Sequence, residues 1–328
     1  MNLNNLENLK EELKNLGFDD SIARQMEEKM KLDVAVFNLY DRRDISKGQV
    51  DMTLHFKQSA QSDYYYLNRY EATLTRGKGL EEGQKYMVIT PVEGGKNMVK
   101  KLETVSEAIG FFKEQQGNSE LAVGKDAAHK SQLALMENGK INYVQKDFQR
   151  TFYAPPQSQT FYVDRGKGFT AEQAVNLMQG RAVYRDNLLN VGGIPYKAWV
   201  SLDTDKPRDR NGNLVTRQFH DPSYGFNLKE ALQQYNIKEL DDPKKAEKLE
   251  ESIRNGNRPL ITTVKDGEEI KLQVEAAVRY NRINFFDENG KPEKREQFEK
   301  NVGQQRPVEQ NTAKSKEKEQ EQSIGVGR

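Results

Sequence analysis

The groups with which this chain could do acid–base or metal chemistry are three histidines, His55, His129 and His220, and 50 acidic residues. The histidines stand far apart, and no HExxH or similar ligand spacing joins them. A hydrolytic triad needs a serine in a strained Gly-x-Ser-x-Gly elbow, and none occurs. A phosphate loop needs Gly, four residues, then Gly-Lys-Ser/Thr. Gly95-Lys96 is followed by Asn97, and Thr90 stands at the upstream position. Gly77-Lys78-Gly79 reaches its next glycine at Gly83, one residue late for a dinucleotide loop. The Asp-rich stretch 203–213 would put Pro207 at the first ligand position of a calcium loop and Gln218 at the twelfth. It reads instead as a solvated hairpin loop. Asp287 to Gly290 fails in the same way, with Phe285 at position 1. The pattern therefore predicts no catalytic residue, no cofactor and no metal.

One constellation favours binding. Residues 52–74 read as a β-hairpin in which Met52, Leu54 and Phe56 alternate with Thr53, His55 and Lys57. If Tyr64, Tyr66 and Tyr70 point inward with them, His55, Lys57, Tyr65 and Arg69 form an exposed basic and aromatic surface. Tyrosine stacking beside Lys and Arg is how sheets hold single-stranded nucleic acid. The competing reading is an ordinary solvated sheet face. Trp199 is the one tryptophan. It falls on the more polar side of a predicted strand, with Tyr196, Ala198, Val200 and Leu202 on the other. It is either a partner anchor or a side chain buried under a helix.

These residues need elements to carry them. The 328 residues suggest two structural halves. Lys and Arg number 51 against the 50 acids, for a net charge of +1, which argues against non-specific coating of DNA but leaves room for a local basic patch. The chain has no cysteine, which removes disulfides, thiolate nucleophiles and thiolate metal sites. No apolar run reaches membrane-spanning length and the first residues lack a signal-peptide pattern, so a cytoplasmic protein is expected.

The spacing predicts an α+β fold. Leu6, Leu9, Leu13 and Leu16 share one helical face, Gly17 stops that helix, and Asp20 offers an N-cap for a second helix carrying Ile22, Met26 and Met30. This N-terminal helical hairpin covers residues 1–30. An α+β domain over 31–156 follows, with strands to Ile89 and helices at 102–115 and 119–137. Pro155-Pro156 marks the boundary to a second α+β domain, 157–294, made of antiparallel strands and flanking helices. Asp266-Gly267 there is a strong hairpin turn. An apolar helix end, a glycine and a strand are expected three times, at 135–144, 177–184 and 253–264. In the last two a second strand follows, which suggests a repeated helix–Gly–strand–strand unit. Residues 295–328 are poor in apolar side chains, and a disordered C-terminus is expected.

Three segments resemble a family of uncharacterised proteins from conjugative and other mobile elements of Bacteroides-like bacteria. The first runs from Leu54-His55-Phe56 through Asp63-Tyr64-Tyr65-Tyr66 to Tyr70-Glu71-Ala72-Thr73-Leu74. The second runs from Gln159-Thr160-Phe161-Tyr162-Val163 through Thr170-Ala171-Glu172-Gln173-Ala174 to Leu177-Met178-Gln179-Gly180-Arg181-Ala182-Val183. The third links Tyr196-Lys197-Ala198-Trp199-Val200, Tyr224-Gly225-Phe226 and Ile237-Lys238-Glu239-Leu240. The resemblance spans most of residues 30–290. It implies a domain of unknown function, in some relatives beside DNA-processing proteins, and it brings no catalytic residue with it. The expectation is a non-enzymatic accessory protein of a mobile element, acting through a protein or nucleic-acid surface and away from membranes. A regulator or inhibitor of a host system, and an enzyme of unrecognised type using Asp, Glu, His and Tyr, are the alternatives.

Overall fold

The computed structural model describes residues 2–77, 79–92 and 94–300. Helices α1 (Leu3–Asn15) and α2 (Asp20–Lys31) form the expected hairpin around Gly17. Asp19, one residue before the expected Asp20, is the cap position of α2. Strands β1 (Val36–Ile45), β2 (Gly48–Gln58) and β3 (Tyr65–Arg76) follow. Next come β4 (Lys85–Pro91), β5 (Asn97–Leu102), α3 (Val105–Lys113), β6 (Ser119–Gly124), β7 (Lys130–Glu137), β8 (Lys140–Val144) and α4 (Gln149–Tyr153). Then come β9 (Ser158–Tyr162), α5 (Ala171–Met178), β10 (Val183–Leu189), β11 (Pro195–Asp203), β12 (Val215–Asp221), α6 (Leu228–Gln233) and α7 (Pro243–Arg254). The last strands are β13 (Leu260–Lys265), β14 (Glu268–Ala277), β15 (Arg282–Phe286) and β16 (Pro292–Glu293). No described helix is long and apolar enough to cross a membrane.

The strands form four antiparallel sheets, ordered β1-β2-β3-β9, β5-β4-β6-β7-β8, β10-β11-β12 and β13-β14-β15-β16. This is the α+β fold that the spacing predicts. The first sheet buries Met52, Leu54, Phe56, Tyr70 and Phe161 under α1, α2 and α5. Helix α3 covers the second sheet with Val105, Ala108, Ile109 and Phe112. The third sheet is apolar on both sides. Val183, Val200 and Leu202 face the first core, while Trp199 and Phe219 face another core built with α6, α7 and the fourth sheet. Four times a helix is followed directly by a three-strand meander: α2 by β1–β3, α3 by β6–β8, α5 by β10–β12 and α7 by β13–β15.

Several expectations are corrected. Residues 119–137 are not a helix but the strands β6 and β7. Their apolar run mimics helical spacing because the centre of this sheet is covered on both faces. Leu121 and Ala134 lie in the main core, and Ala122 lies with Met87 and Ile89 on the reverse side. The first supposed helix–Gly–strand unit is therefore a strand hairpin, turned at Asn138 (φ 50°) and Gly139 (φ 73°). Strand β5, all but its last residue exposed, has no apolar alternation to announce it. The boundary at Pro155-Pro156 does not separate two cores: β9 pairs with β3 across it, and α5 adds Ala171, Ala174 and Leu177 to the first core. Residues 295–300 are ordered. Phe298 is fully buried against Phe285, 5.0 Å between ring centres, and Asn236 N–H donates to its carbonyl at 2.9 Å. The rest of the expected tail, 301–328, lies outside the described residues.

The other two helix–Gly–strand junctions are as expected, and they meet. Asn176 Nδ2 donates to Asn255 O (2.7 Å) and to Asn257 Oδ1 (2.8 Å), and Gln173 Nε2 donates to Asn255 Oδ1 (3.1 Å). Gly256, at φ +83°, lies so close that a Cβ there would sit 2.8 Å from Val183 Cγ1 and 2.9 Å from Asn176 Cβ. Gly180 has a similar φ of +82° but open space around it. Gly180→Ala meets only the left-handed backbone cost of about 1–2 kcal/mol. Gly256→Ala adds an overpacking cost of about 1–3 kcal/mol. Urea unfolding should rank Gly256→Ala clearly below Gly180→Ala; equal midpoints would mean the contact is not tight.

Candidate binding face of the first sheet

Alternation gives the first sheet an inner and an outer face, and cross-strand register fixes the rows of the outer one. Val36, Lys57 and Tyr66 form one row across β1, β2 and β3. Asn38, His55, Arg69 and Tyr162 form the next, reaching β9, and Tyr40, Thr53, Glu71 and Thr160 the third. Beyond them the second sheet closes over the outer face. There Arg42 pairs with the buried Asp51 at 2.7 Å and donates to Glu103 O at 2.9 Å. Gln49 donates to Asp51 at 2.9 Å and accepts from Leu80 N–H at 2.7 Å. Burial pushes the Asp51 carboxyl above its usual range, against the pull of Arg42. The first two rows remain open. Tyr66 is 46% and Tyr162 64% exposed, with Lys57 and Arg69 exposed between them.

His55, Lys57 and Arg69 thus lie together where the sequence places them. Tyr65 does not. It is 1% exposed and lies 5.9 Å from the Phe37 ring. Its backbone exchanges two hydrogen bonds with the Asn5 side chain, at 2.8 and 3.0 Å. The cause is a bulge in β3. His55 pairs with Arg69 but Phe56 pairs with Leu67, so Asn68 is an extra residue. One extra residue reverses the alternation, and Tyr65 and Tyr70 both face inward. Tyr66 takes the outer position, and Tyr162 joins it from β9. Alternation around Phe161 could have revealed Tyr162 as outward-facing; nothing local announces the pairing of β9 with β3. Trp199 is also not a surface anchor. It is 3% exposed, packed against Tyr184 and Phe226 at 5.4 and 5.5 Å.

The charges on the face are partly paired. Glu71 Oε1 lies 3.3 Å from His55 Nε2 and 3.7 Å from Arg69 Nη2. The His55 approach is close but poorly aligned for a hydrogen bond. His55 first, then Arg69, hold the Glu71 carboxyl below its usual range. Lys57 has no carboxylate within ion-pair distance among the described residues. The other two histidines are elsewhere: His129 exposed beside Asp126 at the start of β7, His220 on β12. Among the described residues no group of three His, Asp or Glu could hold a metal ion. In the 203–213 loop, Asp203 pairs with Arg217 at 2.7 Å, and Asp209 Oδ1 accepts from the N–H groups of Asn211 and Asn213.

The arrangement can stack two planar rings on Tyr66 and Tyr162 and hold anionic groups on Lys57 and Arg69. No family model, no curated protein and no solved structure matches the chain.

Because Glu71 has a depressed folded pKa, the ionised carboxylate stabilises the fold above the ordinary glutamate range of about 4.3, and this contribution is lost as pH falls through the folded value. Urea midpoints measured from pH 7 down to 3 should therefore fall more steeply for the wild type than for Glu71→Gln. Parallel curves would show that the His55–Glu71–Arg69 cluster adds nothing to stability.

Proposed function

We propose that this protein is a non-enzymatic accessory binding protein of a mobile genetic element that holds single-stranded nucleic acid on the outer face of its first sheet. The observation that carries the reading is the pair of exposed tyrosines, Tyr66 and Tyr162, set in adjoining rows with Lys57 and Arg69. Stacking on an aromatic ring is tolerant of base identity, and neighbouring cations take the phosphates. The near-zero net charge fits a local patch rather than a generally basic surface. The resemblance of segments 54–74, 159–183 and 196–240 to proteins of conjugative elements supports the setting, as does the cytoplasmic character expected of the chain.

A protein partner is the second reading, and one observation favours it. The tip of the β10–β11 hairpin leaves Leu189, Val191 and Ile194 exposed together.

Fluorescence anisotropy with a labelled single-stranded oligonucleotide tests the first reading. Each stacked base is worth about 1–3 kcal/mol, so Tyr66→Ala and Tyr162→Ala should each weaken binding roughly fivefold or more. Lys57→Ala/Arg69→Ala should flatten the salt dependence by about 1.4 in log–log slope, two phosphate contacts' worth on a single strand. Binding that ignores all four substitutions would sink the platform. If no oligonucleotide binds, and Leu189→Ser/Val191→Ser/Ile194→Ser abolishes co-purification from the native host, the partner reading replaces it.

A further inference from the structure

A second concave site lies away from this face. It lies at the opposite end of the first sheet, where the β1–β2 turn, the end of α5 and the fourth sheet converge, and it encloses about 830 Å³. That is the size range of small-molecule sites, typically about 300–1,000 Å³. Four cations line it, Lys47, Arg76, Arg181 and Arg258, against two carboxylates, Asp44 and Glu288.

The cations differ in what they are bonded to. Arg258 has its charge paired: its Nε donates to Glu275 at 2.6 Å and its guanidinium lies over the Phe286 ring at 3.9 Å. Arg181 does not. Its Nη1 donates to Asn176 Oδ1 (2.9 Å) and Gly256 O (3.3 Å), and its Nη2 to Gln179 Oε1 (2.7 Å), all neutral oxygens. Among the described residues, two of its five N–H donors have no partner and no carboxylate lies within ion-pair distance. Burial, and then the neighbouring Arg258, hold its pKa below the usual arginine value, against a smaller pull from Glu275, which is itself paired with Arg258. A half-buried cation beside another cation, with only neutral partners, is stabilised by an anion that reaches its free donors. Lys47, in the β1–β2 turn, and Arg76, at the end of β3, are exposed and have no carboxylate partner among the described residues. They flank the same space. Gln273 and Asn289 also line the cleft and add neutral donors.

We infer that this cleft binds a phosphate-bearing ligand of nucleotide size, with Arg181 gripping the phosphate and Lys47 and Arg76 closing on it from the first sheet. Arginine suits this task because its planar fork donates two parallel hydrogen bonds to a phosphate. Clefts walled by protein also focus the field of their charges on what enters. The site is separate from the tyrosine face and stands whether or not that face binds nucleic acid.

Titration calorimetry on the full chain tests it with three probes: pyrophosphate, ATP, and a short single strand with and without a 5′-phosphate. Binding of pyrophosphate or ATP identifies a nucleotide site. Binding only of the 5′-phosphorylated strand identifies a strand-end site. Either result supports the inference if Lys47→Ala/Arg76→Ala weakens it roughly tenfold or more, the loss expected for charged hydrogen bonds. That variant changes two exposed side chains and leaves the core untouched. Arg181→Gln should abolish the rise in Tm that the ligand gives the wild type. If Arg181→Gln fails to fold, the Lys47/Arg76 variant still decides. Overturning outcomes are no binding of any probe, or binding that the Lys47→Ala/Arg76→Ala variant retains at wild-type strength; loss in Tyr66→Ala/Tyr162→Ala would then place that binding on the tyrosine face.

Discussion

The close approach of Gly256 to Asn176 and Val183 is the contact from which the second half of the molecule is assembled. Two helices end side by side there, and each has surplus carbonyls at its C-terminus. Asn176 satisfies Asn255, Arg181 satisfies Gly256, and Gln173 reaches the Asn255 side chain. Two of these bonds join neutral groups and all are partly buried, so an unmade one costs up to about 1–3 kcal/mol. The junction therefore demands both the glycine's missing Cβ and the amide side chains opposite it. Once α5 and α7 are locked in this way, the third sheet has a core on each side, and the fourth sheet stands far enough from the first to leave a cleft between them.

A second polar contact decides which part of the first sheet is available. Arg42, Asp51 and Gln49 reach into the second sheet's loops and bury one end of the outer face. A carboxylate there is expensive to bury, and the raised pKa of Asp51 records that cost. The arrangement holds because Arg42 and Gln49 both bond to it. The open end is left with Lys57, Arg69 and the two tyrosines. Closure of one end and exposure of the other thus follow from a few hydrogen bonds, not from a difference in overall composition.

Much of the local structure was legible in the sequence. The leucine spacing of α1, the alternation of Met52, Leu54 and Phe56, the Asp266-Gly267 turn and the glycines at 180 and 256 each report a backbone geometry that adjacent residues enforce. What was illegible depends on partners far along the chain. Strands β6 and β7 looked helical because both faces of their sheet are covered, which erases the two-residue period. The bulge at Asn68 has no signature of its own, yet it exchanges Tyr65 for Tyr66 on the surface. Phe298 lies in a segment whose composition suggests a tail, and partners far back in the chain, the Phe285 ring and the backbone at 234–236, hold it in place. Three of the four candidate face residues were correctly placed, His55, Lys57 and Arg69, because β2 runs straight and β3 resumes its alternation after the bulge.

The third sheet has one further consequence. Val183, Val200 and Leu202 belong to the first core, and Trp199, next to Val200 on β11, and Phe219, its cross-strand partner on β12, belong to the next. A wall shared by two rooms cannot be given to either. Severed near residue 156, the leading fragment would lose β9 and α5 and bare the edge of β3, while the trailing fragment would expose half of its middle sheet to water. Truncation is thus a poor way to assign activities in this chain: neither fragment carries a finished interior, and both would be drawn toward aggregation through uncovered strand edges. Genetic shuffling would meet the same barrier at that cut.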